Sequence, residues 1–285
     1  YIADLRTSRV RKLAPDGVIT TIAGHTAETR RAAPRNVAVD AAGTVYISDF
    51  GGHRIYKLTG SVMTPIAGNG RQGISDDNLP ALSSVVNSPA GIAVDLQGNV
   101  YFGETGNKRV RKLSQGYLTT IGGPPKAGAD PVLGARLPTG VAVNYAGELY
   151  VACPETRRVY VVNTSGLVDQ VSLAARDVAL DSQGNAFAVF TGSVFRINGT
   201  RVDLYGGGNP ARFGGDGGPA LQARLNRPIG LARDASGNLY FTDSRNQRVR
   251  RIGMNGTIDT VVDGLNNAQG LAVNAKGWVY VADTG

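Results

Sequence analysis

The segment Pro89-Ala-Gly-Ile-Ala-Val-Asp95-Leu-Gln-Gly98-Asn-Val-Tyr101 decides the fold of this chain. It contains two short apolar runs that are rich in β-branched and aromatic residues, which favour strands. Between these runs, the Asp95 side chain can accept a hydrogen bond from the backbone two residues on, and Gly98 tolerates a positive φ. The chain can therefore reverse in a tight turn, and the segment predicts a β-hairpin.

The same phrase occurs six times: an apolar run, Asp or Asn, two residues, Gly, and an apolar run with an aromatic residue. The copies begin on average about 47 residues apart, at Val37, Ile92, Val141, Val178, Leu231 and Leu271. A second pair of strands follows the hairpin, as in Arg109-Val-Arg-Lys-Leu113 and Leu118-Thr-Thr-Ile121. Each repeat therefore predicts four antiparallel strands, named a to d in chain order. Helices should be scarce, because no apolar pattern of period 3.6 is sustained.

Four-stranded sheets that recur at this spacing are typical of a β-propeller. We predict an all-β fold, a six-bladed β-propeller of four-stranded antiparallel blades in which one blade is closed by both termini. Residues 1–24 and 268–285 would share that blade, so that residues 1–285 form a single domain, which we expect to be part of a longer chain. Tyr1-Ile-Ala-Asp4 and Tyr280-Val-Ala-Asp283 both match its strand b, and the sequence leaves open which of them lies in the ring.

The repeats resemble those of the NHL-repeat propeller family. The resemblance is carried by the phrase of Pro89–Tyr101 with Asn107-Lys-Arg-Val-Arg-Lys-Leu113, and by the equivalent phrase from Pro228 to Ile252. The glycine-rich joint from Gly206 to Pro228 resembles a variant common in large exported bacterial NHL proteins, which implies an extracellular or periplasmic location. The fourth repeat departs most from the family, because 174–177 lacks Pro-Gly.

Composition limits the chemistry that this chain can perform. Of 285 residues, 30 are Lys or Arg and 22 are Asp or Glu, and a formal net charge of +8 admits nucleic acid, acidic glycans or an anionic surface as partners. The single cysteine excludes an intrachain disulfide and a cysteine zinc site. Two histidines are too few for a three-histidine metal centre within one chain. No apolar run approaches the length of a transmembrane helix, so we predict no membrane span.

In a propeller, the b–c joints and the d–a joints emerge on one face, here named the loop face, and loops on a rigid scaffold commonly carry binding sites. The residues that we predict to bind a partner there are His53, Arg54, Lys108, Arg109, Arg157, Arg158, Arg245, Arg248 and Phe213. Arginines that recur at one position of the repeat, such as Arg109 and Arg248, have an alternative role as structural latches paired with an Asp of the joint. The nonrepeating Lys108, Arg157 and Arg245 favour a partner.

We predict no catalytic residue and no cofactor. A Ser-His-Asp triad would need His25 or His53 beside a serine in the channel, and a surface histidine is the simpler interpretation. Asp76, Asp77 and Asp216 lie among glycines and could offer oxygens to Ca²⁺, but the spacing of an EF-hand loop is absent. Turns stabilised by these side chains are the alternative.

The resulting prediction is a noncatalytic binding scaffold that recognises a protein or glycan partner through its loop face, with self-association as a further option. A hydrolase or lyase with a channel cation is the first alternative, because some propeller relatives are enzymes. Nucleic-acid binding on a basic face is the second. Stacking aromatics would then be expected beside the cations, and the joints offer only Phe50 and Phe213.

Overall fold

The computed structural model describes residues 33–60, 62–123, 137–163, 168–181, 183–210, 213–266, 268–273, 277 and 279–283, and three strands before them at 2–4, 9–13 and 19–23. Within these ranges the chain forms strands and turns, and its helical content is three short 3₁₀ turns, Thr105–Asn107, Ala220–Gln222 and Ser244–Asn246. No helix among the described residues is long and apolar enough to cross a membrane. His25 lies outside the described residues.

The first half of the chain forms one three-stranded sheet and two blades. The three-stranded sheet contains β1 (Ile2–Asp4), β2 (Arg9–Leu13) and β3 (Ile19–Ala23). Blade 1 contains β4 (Pro34–Val39), β5 (Val45–Asp49), β6 (Arg54–Thr59) and β7 (Val62–Ala67). The short β8 (Leu79–Pro80) adds to the outer edge of blade 2, which contains β9 (Pro89–Val94), β10 (Val100–Glu104), β11 (Arg109–Ser114) and β12 (Tyr117–Gly122).

The second half forms three further blades and a two-stranded sheet. Blade 3 contains β13 (Gly140–Val143), β14 (Leu149–Cys153), β15 (Arg158–Val162) and β16 (Val168–Ser172). Blade 4 contains β17 (Asp177–Leu180), β18 (Ala186–Phe190), β19 (Ser193–Asn198) and β20 (Arg201–Gly207). A parallel pair, β21 (Asn209–Pro210) and β22 (Arg224–Leu225), leads to blade 5 with β23 (Pro228–Arg233), β24 (Leu239–Asp243), β25 (Arg248–Ile252) and β26 (Ile258–Val262). The last sheet pairs β27 (Ala268–Val273) with β28 (Val279–Asp283).

The all-β propeller of four-stranded antiparallel blades is confirmed, but the predicted number of blades is wrong, because the structure has five and not six. The strands expected to complete a sixth blade form two sheets, β27-β28 and β1-β2-β3. Two segments compete for one position: β1 pairs with β2 through Ala3 and Val10, and β28 pairs with β27 through Val281 and Leu271. A four-stranded sheet has one place for strand b, so the two copies cannot both join strand a to strand c.

The innermost strands surround a central channel. β4, β9, β13, β17, β23 and β27 pack against one another in that order, and β27 returns to β4. Neighbouring sheets cover both faces of each blade, so every residue of β5, β10 and β24 is buried. Burial of apolar side chains such as Phe102 and Phe241 stabilises this packing by about 25 cal/mol per Å² of apolar surface.

The predicted hairpin turn joins strands a and b in the blades. In blade 2, the Asp95 carboxylate accepts hydrogen bonds from the backbone N–H groups of Gln97 at 3.0 Å and Asn99 at 2.8 Å, while Gly98 has a φ of +78°. The Tyr101 hydroxyl donates to the same carboxylate at 3.0 Å. These turns lie at the end of the channel opposite to the loop face, and they fix the register of the inner strands.

Candidate binding face and central arginine pocket

Arginines of strand c are structural in blades 2 and 5. Arg109 is fully buried, pairs through Nε with the Glu104 carboxylate, and donates through Nη1 to the Ser75 carbonyl at 3.1 Å. The Arg248 guanidinium lies 3.9 Å from the centre of the Phe213 ring and pairs with Asp263 at 3.4 Å. Arg109 pairs with the acid of its own b–c joint, as the latch alternative expects. Arg248 instead pairs with Asp263, which follows strand d, and its side chain stays partly exposed.

Other predicted residues of the loop face are partly engaged. His53 has a φ of +55°, and its Nδ1 accepts the Ser88 backbone N–H at 3.1 Å, which links blade 1 to the entry of blade 2. Arg54 donates to the Asn69 carbonyl at 3.0 Å. Arg158 is exposed and donates to the Gln170 side chain. Phe213 keeps 41% of its surface exposed although it stacks on arginine.

Lys108, Arg157 and Arg245 differ from the repeated arginines. All three side chains are exposed, and within the described part of the chain none of them forms a side-chain hydrogen bond or an ion pair. Lys108 and Arg157 occupy equivalent positions of the b–c joints, each with a φ of +55°. The loop face therefore presents cations whose charge is not neutralised within the described fold.

Two of the acids considered as possible Ca²⁺ ligands, Asp77 and Asp216, contact buried arginines. Asp77 lies 3.4 Å from the buried Arg111 guanidinium and accepts hydrogen bonds from Thr120 at 2.8 and 2.9 Å. Asp216 pairs at 2.6 Å with the buried Arg250 and accepts from Thr260 at 2.7 Å. Each acid ties its joint to strands c and d of the following blade. The signal for this role is a shared spacing, since Asp, Pro, Asn and Pro recur at 77, 80, 87, 89 and at 216, 219, 226, 228.

A cavity of about 80 Å³ opens where the channel meets the loop face. Polar side chains from opposite sides of the ring line it, and the central arginine pocket is defined here by Arg35, Asn36, Thr139, Arg176, Asp177 and Arg227. β4 supplies Arg35 and Asn36. β17 begins at Asp177, and because two inner strands lie between β4 and β17 on each side of the ring, β17 faces β4 across the channel.

Strong electrostatic forces act within this pocket. Burial lowers the pKa of Arg35, and the neighbouring Arg176 lowers it further. The pKa of Arg176 is lowered by burial and by the charges of Arg227 and Arg245. Burial raises the pKa of Asp177 to about 8, although Asp177 accepts the backbone N–H groups of Val178 at 3.0 Å and Leu231 at 3.1 Å. In the described residues no carboxylate forms an ion pair with an arginine of this pocket.

The pocket was missed as a site by the sequence analysis, but its signal is present in the repeats. The residue just before each repeated phrase is glycine in four copies and a larger polar residue in the other two. The four glycines are Gly91, Gly140, Gly230 and Gly270, and the two polar residues are Asn36 and Asp177. A Cβ atom at Gly140 would lie 2.3 Å from Asp177 Oδ1, and one at Gly270 would lie 2.5 Å from Asn36 Oδ1. The two larger side chains therefore occupy space that neighbouring glycines leave open.

The opposite mouth of the channel is acidic. Asp40, Asp95, Asp181 and Asp234 line a cavity of about 320 Å³ there, together with Asn144. Each of the four carboxylates accepts backbone N–H groups of its own hairpin turn. Within the described ranges no group of three His, Cys, Asp or Glu side chains is arranged to hold a metal ion. The channel is thus acidic at one end and basic at the other.

Cys153, the single cysteine of the chain, is a packing residue. It is fully buried at the end of β14, and burial raises the pKa of its thiol to about 12. At neutral pH the thiol is therefore protonated, and its role is packing.

Comparison with known proteins supports an NHL-repeat β-propeller. A family model described as the teneurin NHL domain matches residues 141–268. Human Teneurin-1 is 28% identical over 322 residues that include 90% of this chain, and the chain spans about 12% of the length of that relative. The named sequence relative is an animal protein and gives no support to a bacterial origin.

Solved structures under 25% identity show the fold alone. A propeller in the crystal structure of a nidogen/laminin complex superimposes with a TM-score of 0.68 at 14% identity, with 94% of this chain and 95% of that chain covered. Streptogramin B lyase superimposes with a TM-score of 0.66 at 17% identity, with 97% and 84% covered. Proteins with this fold thus include a partner in a protein complex and an enzyme.

Proposed function

We propose that this chain is a noncatalytic scaffold that binds a protein partner through the cations of its loop face. The observation that carries the proposal is the exposure of Lys108, Arg157 and Arg245 without a counter-ion among the described residues. Of the repeated arginines beside them, Arg109 is buried in an ion pair with Glu104, and Arg248 pairs with Asp263. Unpaired cations on a rigid surface steer an acidic partner and select it by charge.

Two comparisons support a protein as the partner. The chain is similar to Teneurin-1, and its fold is that of a propeller found in a nidogen/laminin complex. The alternative function as a lyase or hydrolase is supported only by the similarity of the fold to that of streptogramin B lyase. We propose a glycan partner and self-association as further possible uses of the same loop face.

We also propose an extracellular or periplasmic location. The resemblance of the 206–228 joint to exported proteins supports this location, and fractionation of the source cells would test it.

Site-directed photocrosslinking tests the proposed face. A photoreactive residue at position 108 or 157 should capture a protein that the same residue at position 97, in an exposed a–b turn, does not capture. The captured protein, once purified, should bind the wild-type chain with an affinity that falls with added salt. Equal capture at positions 108, 157 and 97 would contradict the chosen face.

Charge reversal then measures the contribution of the cations. K108E/R157E should weaken binding of that purified partner at least about tenfold and flatten its salt dependence. The matched control R201E/R251E makes the same change in net charge on strand d of blade 4 and strand c of blade 5, and should alter binding less than about twofold. Equal losses in both variants would indicate a general charge effect. Tight binding of a single-stranded RNA oligonucleotide, lost in K108E/R157E only, would favour the nucleic-acid alternative.

A further inference from the structure

The central arginine pocket is a second candidate site, separate from the exposed cations of the loop face. We propose that it binds a small tetrahedral oxyanion, sulfate or phosphate in chemical class, through the guanidinium groups of Arg35, Arg176 and Arg227. The site lies on the channel axis, whereas Lys108 and Arg157 lie in the b–c joints of blades 2 and 3. The inference therefore does not depend on the proposed protein partner.

Charge crowding is the first argument for an anion. Arg35 and Arg176 are half-buried. Besides burial, the charge of Arg176 lowers the pKa of Arg35, and the charges of Arg227 and Arg245 lower the pKa of Arg176. Like charges held together in a partly desolvated site raise the free energy of the empty pocket. An anion at the centre of the cluster converts this repulsion into attraction.

The geometry of the pocket is the second argument. Its volume of about 80 Å³ exceeds the ~30 Å³ that one water occupies in the liquid, so a small ion can enter. Guanidinium groups present planar pairs of N–H donors that match the oxygens of sulfate and phosphate. The three arginines that line the cavity belong to three separate segments: Arg35 lies on β4, Arg176 directly precedes β17, and Arg227 lies in the segment before β23.

The third argument concerns Asp177, whose negative charge would oppose an anion. Its burial makes the ionised form costly, so protonation of Asp177 and entry of an anion favour each other. The groups that line the pocket with it are Arg35 on β4, Arg176 beside it in sequence, Arg227 ahead of β23, and two neutral side chains, Thr139 just before β13 and Gln269 on β27. Asp177 is therefore the titrating carboxyl among cations in this pocket, and anion binding at or above about pH 8 should take up a proton.

Isothermal titration of the full chain with inorganic sulfate tests the site. Saturable binding is expected for the wild type, and R176Q and R35Q should each weaken it at least about tenfold. The matched control R201Q removes an exposed arginine that pairs with Asp203 outside the pocket and should bind sulfate as the wild type does. R227Q changes an exposed residue of the same pocket and serves if R176Q does not fold. Equal sulfate binding in all four variants, or none in the wild type, would overturn the proposal.

The dependence of affinity on pH distinguishes a built site from loose charge attraction. Sulfate keeps its two charges across this range, so the wild-type affinity should fall by about tenfold between about pH 7 and pH 9 as Asp177 ionises. D177N should bind at least as tightly at pH 9 and lose this dependence. Equal pH dependence in D177N and wild type would overturn the coupling. Glucosamine 6-sulfate, compared with inorganic sulfate, shows whether the anion is a free ion or the end of a larger ligand.

Discussion

Asp177 occupies a position of the inner ring where four other strands carry glycine. Its carboxyl group is buried beside Gly140, and its two oxygens accept backbone N–H groups at 3.0 and 3.1 Å. These bonds favour the ionised form, but burial dominates and raises its pKa to about 8. The carboxyl group of Asp177 is therefore protonated at neutral pH and ionises only near pH 8. So strong a shift in pKa is more common at functional sites than in a structural core.

The pKa of Asp177 predicts how stability changes with pH. Between its ordinary pKa of 3.8 and about 8, the unfolded chain has released the proton while the folded chain still holds it, so stability falls as pH rises and levels off above about pH 8. The D177N variant lacks this loss. Its melting temperature should exceed that of the wild type by a margin that widens from about pH 5 to about pH 8.5. The exposed control D203N should follow the wild-type curve, and parallel curves for D177N and wild type would contradict the assignment.

At the scale of elements, the long d–a joints act as straps across the following blade. Asp77 and Asp216 reach the buried Arg111 and Arg250, and both bond to a threonine of strand d. In blade 5 the Arg250 guanidinium also lies 3.5 Å from the buried Asp243 carboxylate. The ion pairs anchor these glycine-rich joints in addition to their buried apolar side chains, such as Val86 and Leu225.

Removing one strap acid tests this role. D216N leaves the fully buried Arg250 with a weaker set of partners, and we expect it to lower the free energy of unfolding by about 1.5–3 kcal/mol, the range for a hydrogen bond to a charged group. Urea denaturation measures the change. D203N breaks the exposed pair with Arg201 and should cost less than about 1 kcal/mol. An equal loss of unfolding free energy in D216N and D203N would show that the Asp216–Arg250 ion pair stabilises the fold no more than an exposed pair does.

At the scale of the whole molecule, closure of the ring depends on which segment fills strand b beside β27. β28 is paired with β27 and packs against β1, β2 and β4, while β1 is paired with β2. β28 thus pairs with strand a of the shared blade, whereas β1 pairs with its strand c, so each copy of strand b makes only one of the two pairings. Loss of β1 should therefore allow β28 to pair with β2 and complete a four-stranded sheet.

Proline substitutions separate the two copies. A3P should disrupt β1, because proline lacks the backbone donor that a paired strand uses, and the melting temperature should change little, since β28 can replace β1. V281P should lower the melting temperature strongly, because β28 holds the buried Val281 against the inner ring. Calorimetry of both variants measures this difference. A larger loss in A3P than in V281P would show that β1 is the copy on which closure depends.

The repeated phrase by itself determined the strands, the hairpin turns and the propeller, because alternation of apolar and turn residues is a local property of each repeat. It also placed the exposed cations in the joints. The number of complete blades depends on the tertiary structure, because two segments match strand b and only one of them can pair with both strand a and strand c. The arginine pocket was likewise decided by the ring, since Arg35 and Arg176 lie far apart in the chain and become neighbours only when β4 and β17 face each other across a channel.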